Sequence, residues 1–292
     1  MNDVLVDVIL PLVLSVMMYT MGLTLRMDDF RRVGRKPKAF FLGVVNQMLV
    51  LPVAVFVLVG LSGLRPEFAV GFMILAACPG GITSNVMSHY ARGDTALSIS
   101  LTAIISLVSF MTLPLIVAFS MGHFMTAENG TDFPMMRIAL SLFVINVIPV
   151  GLGMLTLAKL PNLAGKIAPW FDRITVVLFV VVVVGAVRRN WDLVVTNMAE
   201  LGGTSLLICV IMLAIGYVTA RLARLDKAQA TTISLETGVQ NAATAILIGG
   251  TILGSELLYL PGAIYGVCMY LPAGILLLYA RYRMNKQTAT GT

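Results

Sequence analysis

Long apolar runs that carry almost no charge dominate this sequence of 292 residues. A helix that spans a bilayer needs about 20 mostly apolar residues. Nine such runs lie at approximately 4–25, 38–60, 66–91, 95–121, 134–158, 168–187, 201–221, 229–252 and 258–280. Charged residues make up 12% of the chain, about half the share found in soluble domains. The sequence therefore predicts an all-α polytopic membrane protein with nine transmembrane helices, and it argues against a soluble enzyme.

The basic residues predict how these spans are oriented. If the N-terminus lies outside, 16 Lys and Arg residues fall on the inner side of the membrane. Four remain on the outer side: Arg65, Arg137, Arg188 and Arg189. Because basic residues concentrate in cytoplasmic loops, we expect a multi-pass protein of the cell (inner) membrane with a cytoplasmic C-terminus. We treat residues 1–292 as one transmembrane domain in the lipid bilayer, with no nucleic acid and no obligatory protein partner.

Two of the nine runs contain residues that disfavour a plain lipid-facing helix. The third contains CPGGITSN at 78–85, where proline and paired glycines weaken the helix. The eighth contains ETGVQN at 236–241, and its glutamate is the one charge between Ala228 and Ser255. Burying an ionised carboxylate at this depth costs about 2.5–3.5 kcal/mol, so a metal cation or a proton is its natural partner. The structural alternatives are a relieved proline kink and a protonated, hydrogen-bonded glutamate.

The two interruptions resemble each other in composition. Each has a glycine, a β-branched residue and then amides or hydroxyls that end in Asn, as in GITSN at 81–85 and GVQN at 238–241. Interrupted spans in corresponding halves, here about 4–121 and 134–280, indicate a binding site between inverted repeats. One carboxylate among many neutral oxygens favours a monovalent cation over Ca²⁺ or Mg²⁺. The pattern predicts a transporter and not an enzyme, because no catalytic arrangement accompanies it.

With these motifs assembled, the chain resembles the bile acid:sodium symporter family. The matching stretches are MGLTL at 21–25, Gln47 five residues before Pro52, CPGGITSNVMSHYARGDTALSISLT at 78–102 and ETGVQN at 236–241. The resemblance implies two inverted repeats with crossing broken helices. It also implies a panel, approximately 4–25 and 134–187, and a core, approximately 38–121 and 201–282. The implied function is symport of Na⁺ with a small organic anion by alternating access.

The resemblance also implies two sodium sites and a substrate site. The first sodium ion would contact Ser84, Asn85, Ser98, Thr102 and Glu236. The second would contact Gln47, Glu236, Gln240 and the backbone carbonyls of Thr237 and Val239. Substrate would bind near the crossing point, at Ile82, Thr83, Asn241, Met269 and Tyr270.

Three features depart from the family's pattern. The usual first panel helix is missing, Ile82 stands where Thr is common, and Met269-Tyr270 falls where some bacterial relatives carry His-Asn. The sodium positions are matched whereas the substrate wall is altered, so the expected substrate extends only to an organic carboxylate. The alternatives are a proton-coupled or exporting carrier on the same fold and a non-transporting membrane sensor of a ligand.

Overall fold

The computed structural model describes residues 8–25, 37–125, 135–189 and 191–290, and within these ranges the regular structure is helical. With π-helical segments counted as part of the helices that contain them, the described helices are α1 (Leu10–Thr24), α2 (Pro37–Ser62), α3 (Pro66–Ala77), α4 (Ile82–Tyr90), α5 (Thr95–Phe124), α6 (Met135–Lys159), α7 (Pro161–Arg189), α8 (Trp191–Leu222), α9 (Lys227–Gly238), α10 (Ala242–Ile252), α11 (Glu256–Cys268) and α12 (Tyr270–Thr290). The start of the first expected run and most of the first basic loop lie outside the described residues.

Five helices in the described part of the chain are long and apolar enough to cross a membrane. They are α2, α5, α6, α8 and the stretch Glu256–Arg283 that joins α11 to α12. Helices α1, α3 and α10 are apolar but shorter. Each of the nine runs read from the sequence coincides with one helix or with two successive helices. An all-helical fold with membrane-type helices is therefore confirmed.

Helix α1 packs closely on α6 and also against α7. The closest approach is between Gly22 of α1 and Gly153 of α6, where a β-carbon on either residue would collide with backbone atoms of the other helix. The Tyr19 hydroxyl also donates to Thr156 Oγ1 over 3.1 Å. Small residues that let two backbones meet are a common means of joining membrane helices. These contacts make α1 and α6 a tightly packed pair.

Two pairs of helices are interrupted by extended segments that meet each other. The first break, residues 78–81, separates α3 from α4, and the second break, residues 239–241, separates α9 from α10. An isolated antiparallel bridge joins the two breaks between Gly80 and Gln240. Each break thereby supplies backbone partners to the other, which non-helical backbone inside a membrane requires.

Two helices contain a π-helical segment directly before a proline. The segment Asn46–Val50 precedes Pro52 in α2, and Phe143–Val147 precedes Pro149 in α6. Proline lacks a backbone N–H and clashes with the preceding turn, so a locally wider turn accommodates it, and such turns are frequent at functional sites. In α2 this segment carries Gln47, which is 4% exposed and reaches both breaks.

Candidate ion-binding site

Glu236 lies in the last turn of α9, beside the second break, and is 3% exposed. The start of this helix is fixed by a capping box, in which the Asp226 carboxylate accepts the Gln229 N–H over 2.8 Å. Among the described residues, the side-chain partners of Glu236 are three hydroxyl groups, and no basic side chain forms an ion pair with it. A buried carboxylate needs either a counter-charge or strong donors, and here hydroxyl groups surround it.

The hydroxyl cluster consists of five buried side chains that meet at this carboxylate: Ser84, Asn85, Ser98, Thr102 and Glu236. Ser84 and Asn85 lie in the first turn of α4, directly after the first break, whereas Ser98 and Thr102 lie one turn apart on α5. The Ser84 hydroxyl is 2.7 Å from Glu236 Oε1, and the Thr102 hydroxyl is 2.9 Å from Oε2. The Ser98 hydroxyl contacts Oε1 as well. The structure therefore brings together all five residues of the first expected sodium site.

Each hydroxyl in the cluster has one proton but lies within hydrogen-bond distance of two acceptor oxygens. Ser84 Oγ is 2.7 Å from a carbonyl oxygen of the first break and 2.7 Å from the Glu236 carboxylate. The hydroxyls of Ser98 and Thr102 each contact the carboxylate and the Asn85 amide oxygen. Six oxygen–oxygen contacts therefore share three protons. The remaining three bring lone pairs together in a poorly solvated place, which is unfavourable without an additional proton or a cation.

Gly80 in the first break allows the carboxylate to approach the backbone. A β-carbon at this position would lie 2.7 Å from Glu236 Oε2 and 3.3 Å from Ser84 Oγ, which is too close for ordinary van der Waals contact. Any larger residue would therefore push the carboxylate out of the hydroxyl cluster. The glycine is needed here for space, in addition to its effect on the helix.

The amide cluster lies on the other side of Glu236 and is formed by Gln47, Gln240 and the backbone of α9. Gln47 Nε2 donates to Gln240 Oε1 over 2.7 Å and to the Cys78 carbonyl over 3.1 Å. Gln240 Nε2 donates to the Thr237 carbonyl over 2.9 Å, and Val239 lies in the same break, fully buried. Donors and acceptors match each other in this cluster, in contrast to the hydroxyl cluster.

The expected substrate residues are only partly brought together. Asn241 caps α10 by accepting the N–H of the third residue after it, while its Nδ2 atom has no hydrogen-bond partner among the described residues. Thr83, in the first turn of α4, hydrogen-bonds to Tyr270 at the start of α12. Ile82 packs against the hydrophobic core, and Met269 is completely buried within it. The polar members of the set therefore lie at the two breaks and at α12, whereas the apolar members contribute packing.

Sequence reasoning missed two residues at the second break. The Tyr265 hydroxyl donates to the Gly238 carbonyl over 2.8 Å and so satisfies an end of α9. Thr244 is completely buried in α10, and its hydroxyl has no partner within the described ranges. The available signals were a tyrosine inside an apolar run and a threonine three residues after Asn241.

With this geometry established, comparison with known proteins is informative. Residues 11–197 match the Sodium Bile acid symporter family. The chain belongs to this family. Its members are sodium-dependent membrane transporters and not enzymes, and Na⁺ is the ion that they cotransport.

Members with printed names span bacteria, animals and plants. The chain is 28% identical over 280 residues to YocS, an uncharacterized sodium-dependent transporter of Bacillus subtilis, with 94% of this chain and 84% of that protein covered. It is also 28% identical over 288 residues to the ileal sodium/bile acid cotransporter of Mus musculus, covering 96% and 81% of the two chains. For the probable sodium/metabolite cotransporter BASS1 (chloroplastic) of Arabidopsis thaliana, identity is 28% over 255 residues, covering 87% of this chain. The chain spans 62% of that plant protein's length.

Proposed function

We propose that this chain is a sodium-coupled symporter that carries a small organic anion, expected to be a carboxylate, across the cell membrane by alternating access. The observation that supports the ionic half is the hydroxyl cluster, where six oxygen contacts share three protons around one buried carboxylate. A cation among these oxygens replaces lone-pair repulsion by attraction. Na⁺ fits because most of the ligands are neutral, whereas Ca²⁺ sites usually gather several carboxylates.

Two sodium sites share the Glu236 carboxylate in this proposal. The first uses the hydroxyl cluster as it stands. The second uses Gln47, Gln240 and the carbonyls of Thr237 and Val239. Because the amide nitrogens of the two glutamines donate within the amide cluster, a cation there requires half-turns of the terminal amides that present their oxygens instead. The second site therefore forms only after a rearrangement, and the first is preformed.

The anionic substrate binds at the crossing of the breaks. Helices α4 and α10 both begin there, and the first N–H groups of a helix together with its dipole favour an anion. Asn241 adds an unpartnered Nδ2 donor that is buried at the same place. Bound Na⁺ lowers the cost of bringing a negative charge to this depth, which gives a physical reason for coupling the two solutes.

The transport movement is a displacement of a core against a panel. In this assignment α1, α6 and α7 form the panel, supported by their mutual packing, and the helices that contain the breaks belong to the core. Nine spans arranged as inverted repeats place the N-terminus outside and the C-terminus in the cytoplasm. The excess of basic residues on the inner side of this arrangement supports the orientation.

Proton coupling is the second candidate, and the hydrogen-bonded Glu236 favours it over the remaining alternatives. A proton on the carboxylate supplies one additional donor, which relieves one of the three surplus oxygen contacts. A sodium ion that touches several oxygens relieves all three. The cluster therefore favours Na⁺ over H⁺ as the coupling ion.

The test is a thermal-unfolding screen of the purified chain against small organic acids, run in NaCl and again in KCl. A ligand that binds the folded state raises the apparent stability. We expect Na⁺ alone to raise the melting temperature, and an organic carboxylate to raise it further only when Na⁺ is present. An acid that stabilises equally in both salts contradicts sodium coupling, and uptake into proteoliposomes along a sodium gradient then tests transport of any acid found.

A further inference from the structure

A cavity of about 240 Å³ lies between α8, α9 and α12. Its apolar wall includes Leu213, Ala214 and Leu276, and two basic residues, Lys227 and Arg283, complete it. The described residues that line it include none of the sodium or substrate residues named above and none from α1, α6 or α7. It is therefore separate from the crossing breaks and from the crevice between panel and core.

The cavity has a charged end and an apolar body. Lys227 is the first residue of α9, and Arg283 lies on α12 with its guanidinium 5.5 Å from the centre of the Tyr279 ring. No acidic side chain lines the cavity among the described residues. The nearest carboxylate along the chain, Asp226, is held by the capping box of α9. Two positive charges above an aliphatic wall match a ligand that has one anionic group and a hydrocarbon tail.

We propose that this cavity binds an anionic phospholipid from the leaflet in which Lys227 and Arg283 lie. The phosphate is held by these two side chains, and part of one acyl chain packs against Leu213 and Leu276. Basic pockets between membrane helices recognise lipid headgroups in this way. The cavity opens sideways at Ala214 and Tyr279, which are both exposed, so the lipid enters from the bilayer. Its volume is below the roughly 300–1,000 Å³ of pockets that enclose a whole ligand, which leaves the second chain in the bilayer.

A bound lipid of this kind bridges α9 to α12. Helix α9 carries Glu236 at its other end, so the lipid clamps the base of the helix that presents the carboxylate. We expect the lipid to stabilise the folded chain, since binding to the folded state alone raises the free energy of unfolding.

The test is a lipid titration of the full, delipidated chain followed by native mass spectrometry. Phosphatidylglycerol and phosphatidylcholine with identical acyl chains are compared, together with glycerol 3-phosphate. We expect one phosphatidylglycerol per chain, bound about tenfold more tightly than phosphatidylcholine, a difference of ~1.4 kcal/mol. The double variant Lys227→Gln/Arg283→Gln removes this preference. The matched control is Arg281→Gln, which removes the same charge from an exposed position of α12 that does not line the cavity.

A second variant, Ala214→Trp, fills the cavity but keeps both charges, and we expect it to weaken phosphatidylglycerol binding as well. Equal binding of the two lipids by the unaltered chain overturns the proposal, as does an equal loss in the Arg281→Gln control. Undiminished binding by Ala214→Trp places the lipid on surface charge and also overturns it. Competition by glycerol 3-phosphate as strong as that of the lipid shows a site for free phosphate esters instead. If the double variant does not fold, Ala214→Trp decides alone.

Discussion

The two breaks cross at one point, but they depart from the helix for different reasons. The first break, 78–81, contains a proline and two consecutive glycines, so its backbone disfavours a helix whatever surrounds it. The second break, 239–241, contains neither residue type. It leaves the helix in exchange for tertiary partners, since the Asn241 N–H donates to the Pro79 carbonyl over 3.1 Å and Gln240 pairs with the first break. One break is determined locally and the other by the contacts it makes.

This difference assigns different contributions to the two breaks. The first supplies rigid, neutral oxygens, since Ser84 and Asn85 follow it directly. The second supplies the charge, since Glu236 precedes it. Because the hydroxyl cluster draws on both, a cation bound there would hold the crossing together. Substitutions on either side of the crossing can therefore separate the contribution of charge from that of shape.

Glu236→Gln removes the charge and leaves the shape. We expect the sodium-dependent rise in melting temperature to disappear and sodium-driven uptake to fall by about 100-fold or more, since breaking a buried charge pair costs ~3 kcal/mol or more. The measurements are thermal unfolding in NaCl against KCl and uptake in proteoliposomes. The control is Glu67→Gln, whose carboxylate lies 3.9 Å from Arg65 outside the cluster. Full sodium stabilisation of the Glu236→Gln chain would exclude this carboxylate as a ligand.

Gly80→Ala changes the shape and leaves the charge. The new β-carbon would lie 2.7 Å from the Glu236 carboxylate, so we expect the carboxylate to move and sodium affinity to fall by about 30-fold, or ~2 kcal/mol. Sodium affinity is measured from the salt dependence of the melting temperature. Gly60→Ala is the matched control, because nothing lies within 4 Å of a β-carbon there. It should leave sodium affinity unchanged and stabilise α2 slightly. Equal sodium affinities in the two variants would show that the first break does not constrain the site.

Much of this crossing could be predicted from the sequence, because its residues violate the pattern of a lipid-facing helix. A carboxylate in an uncharged span and a Pro-Gly-Gly run at mid-depth are both costly in hydrocarbon, so their presence indicates a site. The hydroxyls of Ser98 and Thr102 were also recognisable, because a separation of four residues places them on one helical face.

Neighbouring residues in α2 show where such prediction ends. Asn46 and Gln47 both interrupt an apolar run, but Asn46 donates to Thr219 on α8 over 2.7 Å and joins two helices. Gln47 reaches both breaks instead. Successive residues of a helix point about 100° apart, and the wider turn before Pro52 changes that direction further. The sequence identifies polar residues in both places but not the neighbour that each one faces.

The contact between Thr83 and Tyr270 could not be predicted for the same reason. The two residues come from opposite halves of the chain, and only the packing of α12 beside α4 brings them together. The cavity between α8, α9 and α12 likewise depends on tertiary packing, since Lys227 and Arg283 are far apart in sequence. Local patterns reveal that a helix is interrupted, whereas the partners of an interruption depend on the complete fold.

Ser98→Ala tests the hydroxyl cluster without altering either break. It removes one neutral ligand and one of the contested protons, so we expect sodium affinity to fall by about tenfold, the ~1.4 kcal/mol typical of one hydrogen bond to a charged group. Ser109→Ala is the control, because that buried serine on the same helix donates to the carbonyl of Ser106 and lies outside the cluster. Titration of the melting temperature with NaCl measures both variants. A larger effect at Ser109 than at Ser98 would contradict the assignment.

Gln47→Met, which roughly preserves volume, tests whether the second break depends on its partners. Gln240 loses the donor that lies 2.7 Å from its amide oxygen, and the amide cluster loses one proposed ligand. Since a neutral hydrogen bond contributes only about 1 kcal/mol, we expect a fall in sodium affinity of about fivefold. The Hill coefficient for Na⁺ should fall towards one because only the first site remains. Asn46→Leu is the comparison: it breaks the bond to Thr219 and should lower the melting temperature while the Hill coefficient is kept. If both variants change cooperativity alike, the amide cluster is structural and the two breaks carry a single ion site between them.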